Sequence, residues 1–486
     1  MKINLISLLT LVLINFSLKA QTNVSGFINA NTTWNSSGSP YIVMGNALLS
    51  NGYTLTIEPG VTIKFNPNTA LQIDGELIAI GNSQNRITFT SNQAIPQSGD
   101  WGKLHISDLA VDAVYNSVGE YTSGSILKYC DVLFAGSLGY GAIQLEGASP
   151  YISQISVQQS SSSGIYCSGS SYSIDSSLVS NCAEVGLYFD QVPSSASAIT
   201  IRNDSILNNF GGGISFGVFL GVHCPITIEN NYFISNAGIG AITSIDFSWA
   251  FPIYDSVQIK NNYFIRNSGS GTVYFSGVGN IRIIQNHFLE NVTAAYSCNG
   301  TVTLNLYGNA LIAENYFERD TLLGGYNICS SHYYGKTAIL TLAEHYSGPR
   351  ITTIECNQFI KNVTDTNNAG VIYLNCQNYQ NIPGSASITN NIIDGNVNNS
   401  LDANSCVYIT SDCNDTIKFN NNTIKNNIAP NGSACYFNPY LTNNDELLSI
   451  YNNNFAKNEV KNVIFIDGQD VVYFLVGIFS SDFLLS

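Results

Sequence analysis

The stretch ITIENNYFISN, at Ile226–Asn236, occurs again in slightly changed form along much of the chain. It returns as VQIKNNYFIRN at Val257–Asn267 and as IRIIQNHFLEN at Ile281–Asn291. Each copy has two apolar residues at alternating positions, then an Asn, a Phe two places later, and a second Asn three places beyond the Phe. A motif that recurs at intervals of roughly 20 to 50 residues indicates a chain built from stacked structural repeats.

The first Asn of each copy, or its substitute, anchors a series of repeats that runs to the end of the chain. Apolar residues precede most anchors by five and three places, and we expect them to face the same interior as the anchor. Buried amides stacked in register would hydrogen-bond along the axis, so a structural ladder is the preferred interpretation of these Asn residues. The predicted anchors are Ser176, Asp204, Asn231, Asn262, Asn286, Asn315, Asn357, Asn391, Asn422 and Asn453.

Short runs that alternate apolar and polar residues predict strands through the whole chain. Examples are TLTI at 54–57 and, as a second strand in each repeat, GGISF at Gly212–Phe216 and GTVYF at Gly271–Phe275. No stretch shows a helical period. Parallel strands cannot be joined by a two-residue hairpin. The sequence therefore predicts an all-β chain coiled so that each strand stacks on its counterpart one turn later.

The succession LTIEPGVTIKF, LQIDGELIAIG, ITFTS and GDWGKLHI, within residues 55–106, resembles the opening coils of secreted right-handed parallel β-helix proteins. Together with the Asn repeats, the resemblance covers almost the whole chain after its first residues. It implies the pectate-lyase-like fold, a right-handed parallel β-helix solenoid with an N-terminal cap. That fold superfamily contains lyases, glycosidases, adhesins and phage tailspikes, so the resemblance does not select an activity.

The N-terminal residues MKINLISLLTLVLINFSLKA, 1–20, have the layout of a secretory signal: an early Lys, an apolar run and a small residue at the end. We expect residues 21–110 to form the cap and the first coils. Residues 111–486 are then the β-helix with Asn-anchored repeats, continuous with those coils. This organisation predicts a protein that is secreted or held at the cell surface.

The charge of the chain excludes some partners. Charged residues make up 10% of the sequence, against about 25% in an average soluble protein. Lys and Arg number 18 and Asp and Glu 33. Without residues 1–20, which hold two Lys, the net charge is 16 − 33 = −17. A surface this acidic argues against nucleic acid and against anionic membranes as partners.

The apolar C-terminal run VVYFLVGIFSSDFLLS, 471–486, contains Asp482 and is shorter than the roughly 20 apolar residues of a membrane span. We therefore expect no membrane span in the mature chain. Three interpretations of the run stay open: a last coil, a weak lipid-anchor signal, or the edge of a truncated chain.

Eleven Cys are present, and none shows the CxxC spacing of a zinc site, so neither a metal nor a cofactor is expected. Cys406 and Cys435 occupy similar places in successive repeats, as either buried thiols or a disulfide between coils. Sequons for N-glycosylation also occur, and those at Asn291 and Asn362 coincide with repeat turns, where a glycan would be tolerated.

One residue between each anchor and its Phe must point outward. In successive repeats it is Tyr232, Tyr263, His287 and Tyr316, followed by Gln358. If the coils stack in register, four rings line one column, which makes a platform for sugar rings. The alternative is that aromatic residues only favour strands and stack across them.

The longest interval between anchors, from Asn315 to Asn357, predicts a loop that leaves the coil, where functional sites tend to lie. Its concentration of reactive side chains makes it a candidate site. A resemblance to polygalacturonases would require motifs of the type NTD, DD, GHG and RIK. The chain has no DD pair, no GHG and no RIK. No catalytic residue can be assigned. The candidate loop residues are His332, Tyr333, Tyr334, Lys336, Glu344 and His345.

These observations favour a non-catalytic β-helix that binds an extracellular polysaccharide or a cell-surface glycan, or that serves adhesion or structure, as a monomer. The alternative is a polysaccharide lyase or glycoside hydrolase with a site near residues 321–350. A purely structural spacer is the third hypothesis.

Overall fold

The computed structural model describes the chain from residue 21 onward with several gaps. The described residues are 21–170, 172–191, 198–217, 224–244, 256–294, 300–306, 308–323, 338–344, 351–365, 370–376, 384–399, 405–411, 416–439, 447–466, 472–476 and 479–480. The predicted signal segment, 1–20, lies outside them.

The described residues are almost entirely strand and turn, with helical geometry only in a 3-10 turn at Ser36–Gly38. The strands form a 36-stranded sheet, a 16-stranded sheet and a two-stranded hairpin, counted over the described parts of the chain. Pairing within the two large sheets is parallel, and each strand pairs with strands one coil before and one coil after it. The chain is therefore the parallel β-helix that the sequence predicts.

Each complete coil has three strands, which lie on three faces of the solenoid. The 16-stranded sheet is the first face. The larger sheet combines the second and third faces, because long strands such as Tyr41–Leu49 bend from one to the other and pair on both.

The strands of the first face are Thr32–Trp34, Thr54–Ile57, Glu76–Ile80, Ile126–Lys128, Tyr151–Ser153, Ile174–Asp175, Ile199–Arg202, Ile226–Glu229, Val257–Lys260, Ile281–Ile284, Ala310–Ala313, Ile351–Glu355, Ser385–Thr389, Thr416–Asn420, Leu447–Tyr451 and Val472–Val476.

After Thr22–Ile28 and Tyr41–Leu49, the strands of the second face are Thr62–Phe65, Ile87–Ser91, Cys130–Leu133, Ser156–Gln158, Leu178–Ser180, Ser205–Leu207, Tyr232–Ile234, Tyr263–Ile265, His287–Leu289, Tyr316–Glu318, Gln358–Ile360, Ile392–Asp394, Thr423–Lys425, Asn454–Ala456 and Phe479–Ser480.

The strands of the third face are Leu71–Ile73, Leu104–Ile106, Gly141–Glu146, Ser163–Ser168, Val185–Asp190, Gly212–Phe216, Ile242–Ser244, Val273–Val278, Val302–Leu306, Ala338–Glu344, Gly370–Cys376, Val407–Ser411, Ile428–Pro439 and Glu459–Ile466. Short strands between the second and third faces are Ser268–Gly269, Val292–Thr293, Thr321–Leu322, Val363–Thr364 and Val397–Asn398, and the hairpin is Val114–Tyr115 with Tyr121–Ser123.

The repeat motif contains a bend that the sequence analysis missed. Two strands per repeat were expected, but Ile226–Glu229 and Tyr232–Ile234 lie on different faces. Asn230, between them, has a φ of 59°, in the left-handed region that ends a strand. This bend explains how apolar residues five and three places before the anchor, an odd spacing, face the same interior as the anchor. We call this bend, between the first and second faces, the first corner.

The Asn ladder predicted at the anchors is present, at the first corner. The backbone N–H and Nδ2 of Asn231 both donate to Oδ1 of Asn262, at 2.9 and 3.0 Å, and Nδ2 also donates to the carbonyl of Ile201 at 2.9 Å. The same pattern repeats along the helix. The buried rungs of this first ladder are Asp204, Asn231, Asn262, Asn286, Asn315, Asn357, Asn391, Asn422 and Asn453.

One predicted anchor was wrong by one residue. Leu178 pairs with Ser205, which places Ser177 and not Ser176 in the inward position, and the Ser177 N–H donates to Asp204 Oδ1 at 2.7 Å. Ser176 is exposed, with a φ of 55°. Because this rung is a Ser and not an Asn, the sequence does not mark the anchor of this coil by the recurring Asn.

The second Asn of the motif forms a second ladder, at the second corner, between the second and third faces. Left-handed residues such as Arg266 and Glu290 precede its rungs, as Asn230 precedes those of the first ladder. The rungs are Asn209, Asn236, Asn267, Asn291, Asp320, Asn362, Asn396, Asn427 and Asn458.

The second ladder contradicts the expectation that Asn291 and Asn362 tolerate a glycan. Both side chains are buried, and their amide groups are already bonded to neighbouring rungs. An amide nitrogen in this position is out of reach of a modifying enzyme in the folded protein.

The interior is filled by columns of stacked apolar side chains. On the second face the motif Phe residues stack with ring centroids 4.5 to 4.9 Å apart, close to the strand spacing of about 4.8 Å. Cys406 and Cys435 are free, buried thiols, which decides between the two interpretations of that pair. The apolar run near the C-terminus adds another coil, since Val472–Val476 pairs with Leu447–Tyr451. The stacked Phe residues of the second face form one column, which consists of Phe233, Phe264, Phe288, Phe317 and Phe359.

Candidate functional site

The predicted column of outward rings is present on the second face. Tyr232, Tyr263, His287 and Tyr316 are paired in register across four successive strands. The side chains of Tyr232 and Tyr263 are stacked with centroids 5.1 Å apart and planes inclined by 10°. Tyr263 and His287 are closer, at 4.7 Å and 6°, whereas Tyr316 is tilted by 52° against His287 at 5.9 Å.

The rings of Tyr232, Tyr263 and His287 form the floor of a shallow groove of about 520 Å³. Its wall is made by the left-handed residues of the first corner, Asn230, Asn261, Gln285 and Glu314, which precede the buried rungs. Because the rungs point inward, the corner residues must point outward, and their amide groups stand beside the rings. Gln285 Nε2 donates a hydrogen bond to Glu314 Oε2 at 2.7 Å. The amide oxygen of Gln285 takes no part in that bond.

The exposure of the rings differs along the groove. Tyr232 is 47% exposed, whereas Tyr263, His287 and Tyr316 are half-buried by their neighbours in the stack. Burial lowers the pKa of His287, which favours the neutral ring at neutral pH. Burial also raises the pKa of Tyr316, with a further contribution from the hydrogen bond that its hydroxyl donates to Glu318 at 3.1 Å. The column is therefore an uncharged aromatic surface at neutral pH.

The candidate loop site predicted from the sequence is only partly within the described residues. His332, Tyr333, Tyr334, Lys336 and His345 lie outside them. Glu344 ends the strand Ala338–Glu344, where it pairs with Leu306 and Cys376. The expectation that this residue lies in a loop was wrong, because the apolar segment AILTLAE pairs on both sides as a strand of the third face.

A second ring column, on the third face, was missed. Tyr166 and Tyr188 are paired in register and stack with centroids 5.3 Å apart and planes 5° apart. A signal for this column exists in the sequence, since both residues follow Gly and an apolar residue, in GIY at 164–166 and GLY at 186–188. In the next coils Ser215 and Thr243 take the same register position and are buried, which interrupts the run of rings. Rings return to this register position farther along the third face, where Tyr408 and Tyr436 stack with centroids 4.5 Å apart.

Two carboxylates lie beside the third-face column. Glu146 and Asp190 share one register column, with Ser168 between them. His105 Nε2 contacts Glu146 Oε2 at 3.0 Å, and the Tyr166 hydroxyl donates to Asp190 Oδ2 at 2.8 Å. Burial lowers the pKa of His105, and Glu146 partly offsets this effect. The two carboxylates are thus each held by a ring.

The described residues contain no group of three or more His, Cys, Asp or Glu side chains arranged to hold a metal ion. Within the same residues, no helix is both long and apolar enough to cross a membrane.

Two family models match the chain. The model described as a right-handed beta helix region matches residues 106–247 and 141–317, and the pectate-lyase-like beta helix domain matches residues 26–159. Among curated proteins, Protein bark beetle of Drosophila melanogaster is 46% identical over 55 residues. That segment is 11% of this chain, which spans only 2% of the length of that relative.

Matches among solved structures have low sequence identity and low TM-scores. The Siphovirus 9NA tailspike receptor binding domain is 9% identical, with 97% of this chain and 77% of that chain covered and a TM-score of 0.22. The Streptococcus pneumoniae surface protein and adhesin PfbA is 12% identical, with coverage of 89% and 91% and a TM-score of 0.18. The GH136 lacto-N-biosidase from Eubacterium ramulus is 11% identical, with coverage of 86% and 63% and a TM-score of 0.20.

The two family models together span residues 26–317, and the three-faced coils and both ladders continue beyond that range. This chain is a right-handed parallel β-helix repeat protein of the pectate-lyase-like fold superfamily.

Proposed function

We propose that the protein is a secreted or surface-held β-helix that binds a polysaccharide along the ring column of the second face, without cleaving it. The observation that carries this proposal is the register of Tyr232, Tyr263 and His287, whose parallel rings lie beside a row of outward amides. Sugar rings pack their apolar faces on aromatic rings, and their hydroxyl groups need the donors and acceptors that amides supply.

The column suits weak contacts repeated along a polymer. Aromatic pairs contribute about 0.5–1.5 kcal/mol beyond area burial, so several rings are needed for useful affinity. The strands hold the rings in place before binding, which keeps the entropic cost of association low. The low proportion of charged residues and the signal-like N-terminal segment support an extracellular location.

A glycan array with the full chain tests this proposal. The wild-type protein should bind at least one polysaccharide, and the double variant Tyr232→Ala/Tyr263→Ala should lose that binding. Tyr451→Ala is the matched control, since Tyr451 is an exposed ring on the first face, 39% exposed, away from the groove. Binding that survives in the double variant would exclude the ring column as the binding surface. Absence of any binding by the wild type would favour a structural spacer.

Glycoside hydrolysis at the third face is a second candidate, favoured by Glu146 and Asp190. Their backbone positions are two coils apart, about 9.6 Å at the usual strand spacing. Inverting glycosidases hold their two carboxyl groups about 6.5–9.5 Å apart, and this backbone spacing lies just above that range. Release of reducing ends from a polysaccharide by the wild type, but not by Glu146→Gln, would establish this activity. Turnover unaffected by that variant would exclude the pair.

A further inference from the structure

A second groove segment lies on the same corner, closer to the N-terminus. It has a volume of about 560 Å³ and is lined by Arg86, Asp131, Gln154, Asn203 and Ser205, among others. Its lining follows the pattern of the ring segment: a left-handed corner residue, such as Gln154 or Asn203, beside the outward residue of a second-face strand. The two segments are therefore built from the same two columns.

The two segments adjoin without a break. Ser205, at the end of the N-terminal segment, is paired in register with Tyr232, the first ring of the other. The corner residues Asn203 and Asn230 also belong to successive coils, as the bond from the Asn203 N–H to the Glu229 carbonyl shows. From Arg86 to Glu314 the groove crosses nine successive coils at the first corner, and seven of their second-face strands contribute an outward residue to its lining. At about 4.8 Å per coil, eight spacings give a length of about 38 Å.

We infer that the two segments form one continuous site for an extended, neutral, linear glycan that runs parallel to the helix axis, with about one sugar residue per coil. The inference rests on the proposed function and specifies its ligand. One pyranose ring of an extended glycan advances by nearly the same length as one coil, about 4.8 Å, so each sugar meets an equivalent pair of columns. Aromatic side chains of the protein contact the glycan in the C-terminal segment of the groove. Side chains with hydroxyl and amide groups contact it in the N-terminal segment.

The charges along the groove select a neutral ligand. Among the described residues that line it, the only basic side chain is Arg86, which is already paired with Asp131 at 2.8 Å and also donates to the carbonyl of Cys130. The remaining charge is the carboxylate of Glu314. The whole chain carries a net charge of −15, which repels polyuronates. A glycan of carboxylated sugars would find no unpaired cation in this groove.

A length series tests the inference on the full chain. The probes are β-1,4-linked manno-oligosaccharides of two to ten residues, with oligogalacturonides of the same lengths as the anionic comparison. Calorimetric affinity for the neutral series should rise with each added residue up to about eight and then level off. Levelling at four residues would overturn the continuous site while leaving the ring column as a binding site. Preference for the oligogalacturonides would overturn the neutral class.

A variant separates the two segments. Leu178 lies half-buried on the outward column of the N-terminal segment, in register with Ser205. Leu178→Ala should weaken binding of an eight-residue probe by about threefold to tenfold, a loss of one apolar contact, and leave a four-residue probe unaffected. Thr423→Ala, on the same column beyond the groove, is the control. Equal losses for both probe lengths would overturn the division of the site, and failure of every probe to bind would count against the proposed function itself.

Discussion

Asp320 holds a rung of the second ladder where every neighbouring rung is an Asn. Its Oδ1 accepts from the backbone N–H and Nδ2 of Asn291, at 2.7 and 2.9 Å, as an amide oxygen would. Its Oδ2 is buried without a hydrogen-bond partner, at the position where an Asn carries an NH2 donor. A protonated carboxyl group restores that donor. Burial raises the pKa of Asp320 to about 7, against the effect of the two hydrogen bonds from Asn291.

The pKa of Asp320 predicts that stability falls as the pH rises. The folded pKa lies above the unfolded value of 3.8, so the full contribution is present below about pH 4 and is lost progressively up to about pH 7. Asp320→Asn should remove the share of this slope that Asp320 contributes and stabilise the protein at pH 8, by at most about 4 kcal/mol. The share of Asp204, whose pKa is also raised by burial, should remain. Denaturant unfolding at pH 5 and pH 8 measures it.

Asp394→Asn is the control for this measurement, because Asp394 lies near the surface beside Lys425 at 3.3 Å. It should leave the pH slope in place. Asp320 would lose its assigned role if Asp320→Asn unfolded with the same pH dependence as the wild type.

At the level of the element, the ladders secure the bends between strands. Oδ1 of Asn286 accepts from the backbone N–H and Nδ2 of Asn262, and Nδ2 of Asn286 donates to the carbonyl of Ile259 and to Oδ1 of Asn315. Every one of these groups is buried. A single rung therefore satisfies polar groups on the coils before and after it.

Asn286→Ala should destabilise the protein by at least about 3 kcal/mol, because it leaves several buried donors and acceptors without a partner at about 1–3 kcal/mol each. Its neighbour Gln285 is exposed at the corner, so Gln285→Ala should cost less than about 1 kcal/mol. Chemical denaturation of both variants gives the comparison. Similar losses for the two would show that the ladder contributes no more than a surface side chain.

The strand pattern predicted the faces better than it predicted the bends. Alternation identified ITI and YF as strand residues, and the recurrence of Asn identified the ladder. The bend itself needs a left-handed residue, a conformation that Asn at 230 and 261 favours but that Glu314 and Lys361 adopt as well. At those positions the neighbouring rungs impose the conformation, so the local sequence gives no sign of it.

Only the part of the candidate site that follows the Asn repeat could be predicted from the sequence. Tyr232, Tyr263, His287 and Tyr316 follow the anchor at a fixed distance, so their register could be predicted from the repeat. The third-face rings Tyr166 and Tyr188 lie in coils without the Asn motif, where only the pattern of Gly and Tyr marks the repeat. The groove segment near Arg86 could not be predicted, because its lining residues are brought together only by pairing between coils and share no residue type that recurs in the sequence.

Over the whole molecule, the solenoid places equivalent positions about 4.8 Å apart along one axis. This arrangement turns single outward residues into continuous columns, and the rungs beneath them fix the columns in place. Interior and corner residues thus have structural roles, and the outward columns are the surface left for a ligand. We expect ring contacts on the second face, rather than charge, to hold the glycan.

Calorimetric titration of Tyr263→Phe and Tyr263→Ala with the polysaccharide that binds the wild type tests this claim most directly. Tyr263→Phe keeps the ring in its stack with Tyr232 and His287 and should retain affinity within about threefold. Tyr263→Ala removes the ring and should lose about tenfold, or about 1.4 kcal/mol. Wild-type affinity in both variants, or an equal loss in both, would contradict the ring column as the binding surface.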